Sequence, residues 1–481
     1  MENLKKHLLS AAGKQKEQIP SDNPYRDIVF DGENPRLGWV KPLNFCQVKE
    51  SIESIFPLLK NKENFIFVGM GGSINGIKPL LAVFEQNNFF TLDNLDPKAL
   101  NNILSKIDNI KKTLVIAISK SGTTQETQLL SKTLKSYLSD QLGPDKWQGN
   151  FLWLTDPSSF KKLDDLGWEK TKKISIQADQ RCDIGGRFSS PLTQIFILPL
   201  FLMLNQDFEK LENLYSQFVA SQDQIRENAY QAVITLGDDY DFNFSPTVDK
   251  RWGESFASWV VQLFQESLGS KLPEKSVKTI VNFSDSGFIQ LQADCSFSES
   301  AVSIMAQMYF YQLFIAFLSG KWKINFVSQE FVEKYKQKMR SLEKEEKKAT
   351  NILEGGIEGL IEEINKKVRP EQRFIEVVLY FVPEPEDVSL IQKKCSQKFG
   401  EKIILNFVGS DWNHQSYQAA FGDKNTFYAL VCLSQYLDTD FVPKNLVNQN
   451  IKTLKRIALA TQQTLSDKSI LYSLKNNFEE D

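Results

Sequence analysis

Residues Thr113–Thr127 read TLVIAISKSGTTQET. From Leu114 to Ile118 the run is apolar, mostly β-branched and unrelieved by polar positions, so it predicts a short strand buried on both faces, as in a parallel sheet. Ser119–Thr127 then places five hydroxyl side chains and Lys120 in a polar stretch, before apolar periodicity resumes over Leu129–Leu138 and predicts a helix. A helix N-terminus at the end of a parallel strand presents free N–H groups and the positive end of a dipole. One hydroxyl suffices to cap a helix. Five hydroxyls with a lysine suit a phosphate monoester.

Working outward, Phe65–Gly69 is a shorter strand-like run, followed by Gly69-Met70-Gly71-Gly72-Ser73 and the helical stretch Ile77–Glu85. Phe151–Thr155 (FLWLT) predicts a third strand, closed by Asp156-Pro157. Strands alternating with helices imply right-handed crossovers and a parallel sheet. Asn205–Asn228 predicts a polar helix bridging two halves. Beyond it, Lys278–Phe283, Phe374–Val382, Lys402–Val408 and Tyr428–Leu433 predict strands, with helices over Phe256–Leu268 and Ser303–Phe317. The charged run Glu343–Lys348 predicts a solvated helix face or loop. A chain of 481 residues is long for one core. The expected fold class is α/β, with two domains (1–215 and 216–481), each a mostly parallel sheet flanked by helices on both faces.

Lys and Arg number 57 against 60 Asp and Glu, a formal net charge of −3. That balance calls for no nucleic acid and no anionic membrane, so an anionic ligand needs a local cradle. The five cysteines (Cys46, Cys182, Cys295, Cys395, Cys432) are scattered and never form a CxxC pair, which predicts free thiols in a reducing compartment. Two histidines, His7 and His414, exclude a His-rich metal site by count. Met1–Lys16 has no apolar secretion core, and the apolar run Pro191–Leu204 is broken by Gln194 and Pro199 and too short to span a bilayer. A cytoplasmic protein with no membrane association is expected. The glycine cluster fails the dinucleotide fingerprint, because Ile74 stands at its third glycine position, and fails the P-loop pattern, because Gly76 is followed by Ile77 and Lys78.

Several segments together resemble a known family. SKSGTTQET is similar to the SK-(S/T)-x-TTxET signature of glucose-6-phosphate isomerases, which are built from two sugar-isomerase (SIS) domains. GMGGSINGIKP resembles that family's GIGGSxLGP loop, Asn94-Leu95-Asp96 its SN-x-D segment, and Thr155-Asp156-Pro157 fits as well. The resemblance implies substrate contacts from Gly72, Ser73, Ser119, Lys120, Ser121, Thr123 and Thr124, the loop residues chiefly to the phosphate. Gly185-Gly186-Arg187-Phe188-Ser189 resembles the VGGRxS segment, in which the arginine steadies an enediolate. Gln262–Gly269 (QLFQESLG) resembles the motif carrying the catalytic glutamate, which assigns that role to Glu266; here Ser270 intervenes between Gly269 and Lys271.

The periodicity of Phe256, Trp259, Val260, Leu263 and Phe264 independently places Glu266 on the apolar side of a helix, near its end. His414 stands in an H-x-x-x-Q pattern similar to the family's HSxxQ, whose histidine opens the sugar ring from a neighbouring subunit. That similarity implies a homodimer. Thr453-Leu454-Lys455-Arg456 resembles the TLKxAQ segment of isomerases fused to transaldolase, and Asn325–Lys334 echoes NPFDQPxVExxK of the same branch. Lys455 is thereby the expected ring-opening lysine. The implied activity is reversible conversion of glucose 6-phosphate and fructose 6-phosphate through an enediolate, with no metal or redox cofactor and a small sugar phosphate as the partner molecule. Two alternatives stay open: an isomerase that also accepts mannose 6-phosphate, and a catalytically silent sugar-phosphate-binding regulator.

Overall fold

The structure is a computed structural model describing residues 4–236, 242–272, 276–293, 295, 297–344 and 352–475. Residues 345–348 of the charged run lie outside the described residues. A first parallel sheet contains β1 (Asn64–Val68), β2 (Phe89–Leu92), β3 (Thr113–Ile118), β4 (Phe151–Thr155) and β5 (Lys172–Ser175), in the order β2-β1-β3-β4-β5. The chain leaves β1 towards one edge and leaves β3 towards the other. The crevice beyond the carboxyl ends of β1 and β3 is therefore the switch point where such sheets receive ligands. The glycine turn follows β1 and the hydroxyl-rich loop follows β3, so both open onto that crevice.

A small parallel sheet comes next: β6 (Phe242–Thr247), β7 (Val277–Thr279) and β8 (Ile289–Gln292), in the order β8-β6-β7. The segment expected as a strand from Lys278 to Phe283 belongs here, not to the second large sheet. Its register with β6 runs to Thr279, Ile280 N and Asn282 N still donate to Phe244 O and Pro246 O at 3.0 Å, and Asn282, at φ +55°, then turns the chain away. The second large sheet, also parallel, comprises β9 (Leu353–Gly355), β10 (Phe374–Leu379), β11 (Ile403–Val408), β12 (Thr426–Leu433) and β13 (Ser469–Leu474), in the order β9-β13-β12-β10-β11.

The helices that matter to the site are α1 (Lys78–Phe84), α2 (Gln125–Leu142), α3 (Gln194–Met203), α4 (Phe208–Ile234), α5 (Gly253–Leu268), α6 (Ser300–Trp322), α7 (Val332–Lys344), α8 (Asp411–Gln415) and α9 (Lys444–Leu465). Side chains alternate across a strand, and β1 accordingly feeds two cores. Phe65 and Phe67 join one cluster, built on the fully buried apolar α3 and on α6. Ile66 and Val68 join another, in which α2, α7 and α9 pack the first sheet onto Ile375, Val377, Phe427 and Ala429 of the second. By length and composition α6 could cross a membrane, yet its apolar window lies wholly inside the protein, where it forms the centre of the first core.

α4 runs unbroken through residue 215, and both clusters combine residues from either side of that position. The two large sheets are separate layers over one shared core, and the crevice lies where they meet.

Candidate active site

Two glycines set the crevice walls. Gly122 has φ +66° in the loop between β3 and α2, a conformation that disfavours any side chain. A Cβ on Gly72 would lie 2.3 Å from Gly186 O and 2.7 Å from Arg187 N, so the turn after β1 packs directly against the backbone that carries Arg187.

Thr124 stands at the N-cap position of α2 but makes no cap hydrogen bond. Its hydroxyl lies 3.0 Å from that of Ser119 instead, while Ser121 Oγ accepts from Thr123 N at 3.2 Å and from Thr123 Oγ1 at 3.0 Å. A cavity of about 760 Å3 opens over this loop, lined by Ser73, Lys120, Ser121, Thr123 and Thr124 among others. Burial, with the positive charge of Arg36 nearby, brings the Lys120 ammonium down to about 8. Ser119 is buried, lines neither this cavity nor its neighbour, and touches the cavity through the Thr124 hydroxyl alone among the loop's side chains.

A smaller cavity of about 100 Å3 adjoins the first and shares Ser73, Gly186, Gln329, Lys336 and His414 with it. Gly72, Arg187 and Glu266 line its inner end. Helix α5 sets Phe256, Trp259, Leu263 and Phe264 in the first core and brings the buried Glu266 to the cavity. A buried carboxylate needs a counter-charge and hydrogen bonds. Arg187 Nη1 lies 3.2 Å from Glu266 Oε1, and Gln262 Nε2 donates to Oε2 at 2.9 Å. Arg187 is itself held by Ser267 Oγ at 2.8 Å and by the carbonyls of Phe326 and Ser328. Burial lowers its basicity, against the opposing pull of Glu266.

His414 projects from α8 of the same chain, with Nε2 3.0 Å from Glu126 Oε1 in the first turn of α2. Burial works against the Glu126 charge, but the His414 contact outweighs it and holds the carboxyl below its ordinary range. Glu266 and His414 of one chain line the same cavity.

Of the residues expected from sequence, Gly72, Ser73, Lys120, Ser121, Thr123, Thr124, Arg187, Glu266 and His414 thus surround two adjoining cavities. Lys455 lines neither. Helix α9 aims it at the carboxyl end of β12, where Nζ donates to Ser434 O at 3.2 Å and stands 5.2 Å from the Tyr436 ring. The lysine that does reach both cavities is Lys336 on α7, 3.3 Å from Glu333. Its signal lay in the segment Asn325–Lys334, whose NPFDQPxVExxK-like pattern, aligned from Asn325, ends at Lys336 and includes the cavity residue Gln329. Asn94 and Asp96 are structural: Asn94 Nδ2 donates to Gly409 O at 3.1 Å, and Asp96 accepts from the backbone of Lys98 and Val382 at 2.9 and 2.7 Å. Lys271, brought down to about 8 by burial and by Arg187, donates to the carbonyls of Asn325 and Ser328, each at 2.9 Å, and lines neither cavity.

Residues 44–236 match the family model described as phosphoglucose isomerase. A glucose-6-phosphate isomerase from Thermus thermophilus is 35% identical over 140 residues, 29% of this chain and 32% of the relative. One from Campylobacter jejuni is 30% identical over 246 residues, 49% of this chain and 55% of the relative. The chain therefore spans between about a third and about half of the length of these curated relatives. The crystal structure of a glucose-6-phosphate isomerase from Chlamydia trachomatis shares the fold at a TM-score of 0.53 and 16% identity, covering 76% of this chain and 86% of that one. Over residues 44–236, which hold the first sheet and its hydroxyl-rich loop, the chain is similar to the phosphoglucose isomerase family.

Proposed function

We propose that this chain is an aldose–ketose isomerase acting on glucose 6-phosphate and fructose 6-phosphate. The observation that carries the reading is a buried carboxylate, Glu266, paired with Arg187 in a small cavity that adjoins the hydroxyl-lined one. Ser121, Thr123, Thr124, Lys120 and the N-terminal end of α2 hold the phosphoryl group. Ring opening removes a proton from the C1 hydroxyl and delivers one to the ring oxygen. His414, oriented by Glu126, and Lys336 stand where they can serve that exchange. Glu266 then takes the proton from C2 and returns it to C1, while Arg187 and Lys336 stabilise the negative charge that develops on the enediolate oxygens. Anchoring the phosphate aligns the two carbons, so positioning contributes as much as acidity.

The homologues named glucose-6-phosphate isomerase support the substrate pair. The five free cysteines suit a cytoplasmic setting. A homodimer is not required to complete this site. Turnover of glucose 6-phosphate and mannose 6-phosphate by the purified full chain, side by side, tests the reading. Isomerisation of glucose 6-phosphate to fructose 6-phosphate is expected. Binding without turnover assigns a regulator instead, and equal turnover of both substrates assigns a broader isomerase.

A further inference from the structure

A line of buried polar groups runs from the back of the site to the base. Gln262 Nε2 donates to Glu266 Oε2 at 2.9 Å and to His414 O at 3.1 Å. A carboxylate and a carbonyl can only accept, so the amide nitrogen of Gln262 must face them and its oxygen must face away. That oxygen accepts from Asn75 Nδ2 at 3.2 Å, and Asn75 Nδ2 also lies 3.4 Å from Asp411 Oδ1. Asn75 is fully buried, and its own Oδ1 has no partner among the described residues. Turning the Asn75 amide over would set that oxygen against the Asp411 carboxylate and the Gln262 oxygen at once, three acceptors with no donor between them.

Asp411 is fixed in turn by Lys78 Nζ at 3.3 Å, which Asp93 holds from the other side at 2.7 Å. Burial works against the Lys78 charge, but Asp411 and Asp93 outweigh it and keep the ammonium above its ordinary value. Asp411 opens α8, the helix that carries His414.

We propose that Asn75, Lys78 and Asp411 are positioning residues: they fix which way the Gln262 amide faces, and through it hold Glu266 and His414 in register over C1 and C2 of the sugar. The relay rests on the reading of Glu266 as the base. It fixes hydrogen-bond polarity at the reacting end and leaves the phosphate loop untouched, so its loss lowers kcat with little change in KM.

The test is steady-state turnover of glucose 6-phosphate by the full chain and by Asn75→Leu, Lys78→Met and Lys78→Arg, with circular dichroism and thermal melting as controls of folding. A wild type that turns over is expected, with kcat lowered about tenfold or more in Asn75→Leu and Lys78→Met. KM should stay within about threefold, and Lys78→Arg should restore most of the rate. Combining Asn75→Leu with Gln262→Leu should cost nothing beyond Gln262→Leu alone, because both act through one amide. Should Lys78→Met fail to fold, Asp411→Asn, nearly the same size, carries the same expectation. Folded variants with wild-type kcat, or losses that multiply in the double variant, overturn the relay while the isomerase stands. A wild type without turnover overturns the isomerase reading and the relay with it.

Discussion

Lys120 illustrates how much of the site rests on single side chains. It lies between the hydroxyl-rich loop and Arg36, and its ammonium, brought down to about 8, is a cation only below that pH. A phosphate monoester is already dianionic above about pH 7, so a weakening of substrate capture on the alkaline side reports the protein. The KM for glucose 6-phosphate is expected to rise as pH passes through about 8, and Lys120→Arg, which keeps its charge, should remove that rise. A KM that is flat to pH 9 in the wild type contradicts the assignment. The same scale marks where the sequence misled. Lys455 sits in a convincing local pattern, but α9 directs it to Ser434, and only the fold brings Lys336 past Glu333 into the cavities. A motif fixes what stands beside a residue in the chain, not what stands opposite it in space.

Among the elements, the two turns after β1 and β3 decide the geometry, and their backbones were legible as glycine-rich and hydroxyl-rich loops. The contact between the first turn and the Gly186–Arg187 segment was not legible, since it joins residues more than a hundred positions apart. It carries a clear expectation. Gly72→Ala puts a methyl group within 2.3 Å of a backbone oxygen that cannot rotate away. The two segments must part, at a cost of about 1–3 kcal/mol. Thermal melting should register the loss, and Arg187 should move off Glu266, so that turnover falls further than stability alone explains; an active Gly72→Ala of wild-type melting temperature contradicts the packing. Strand edges were the hardest elements to foresee. β2 is four residues long at an edge, and β13 follows α9 with no glycine or proline between to mark the change of period.

For the whole molecule, the alternation of strand and helix made the α/β class legible, and the continuous apolar runs at β3 and β12 marked strands buried on both faces, as in a parallel sheet. What the sequence could not display is that the two large sheets share a core, because packing across α2, α7 and α9 depends on which faces meet. Helix α5 of the first core meets α8 through the Gln262–His414 hydrogen bond, and so Glu266 and His414 reach one cavity of a single chain. Mixing Glu266→Gln protein with His414→Asn protein is therefore expected to restore no activity. Recovered turnover on mixing would mean that a partner subunit supplies the histidine.

The central claim is that Glu266 carries the proton between C2 and C1. Isomerisation of fructose 6-phosphate in deuterated water, followed by NMR at C2 of the glucose 6-phosphate formed, tests it most directly. The wild type should convert its substrate and place deuterium at C2. Glu266→Gln, which keeps the shape but can accept from only one of the two donors Arg187 and Gln262, should lose about a thousandfold in both conversion and exchange while inorganic phosphate still binds the loop. Conversion and exchange near the wild-type rate in Glu266→Gln would contradict the account.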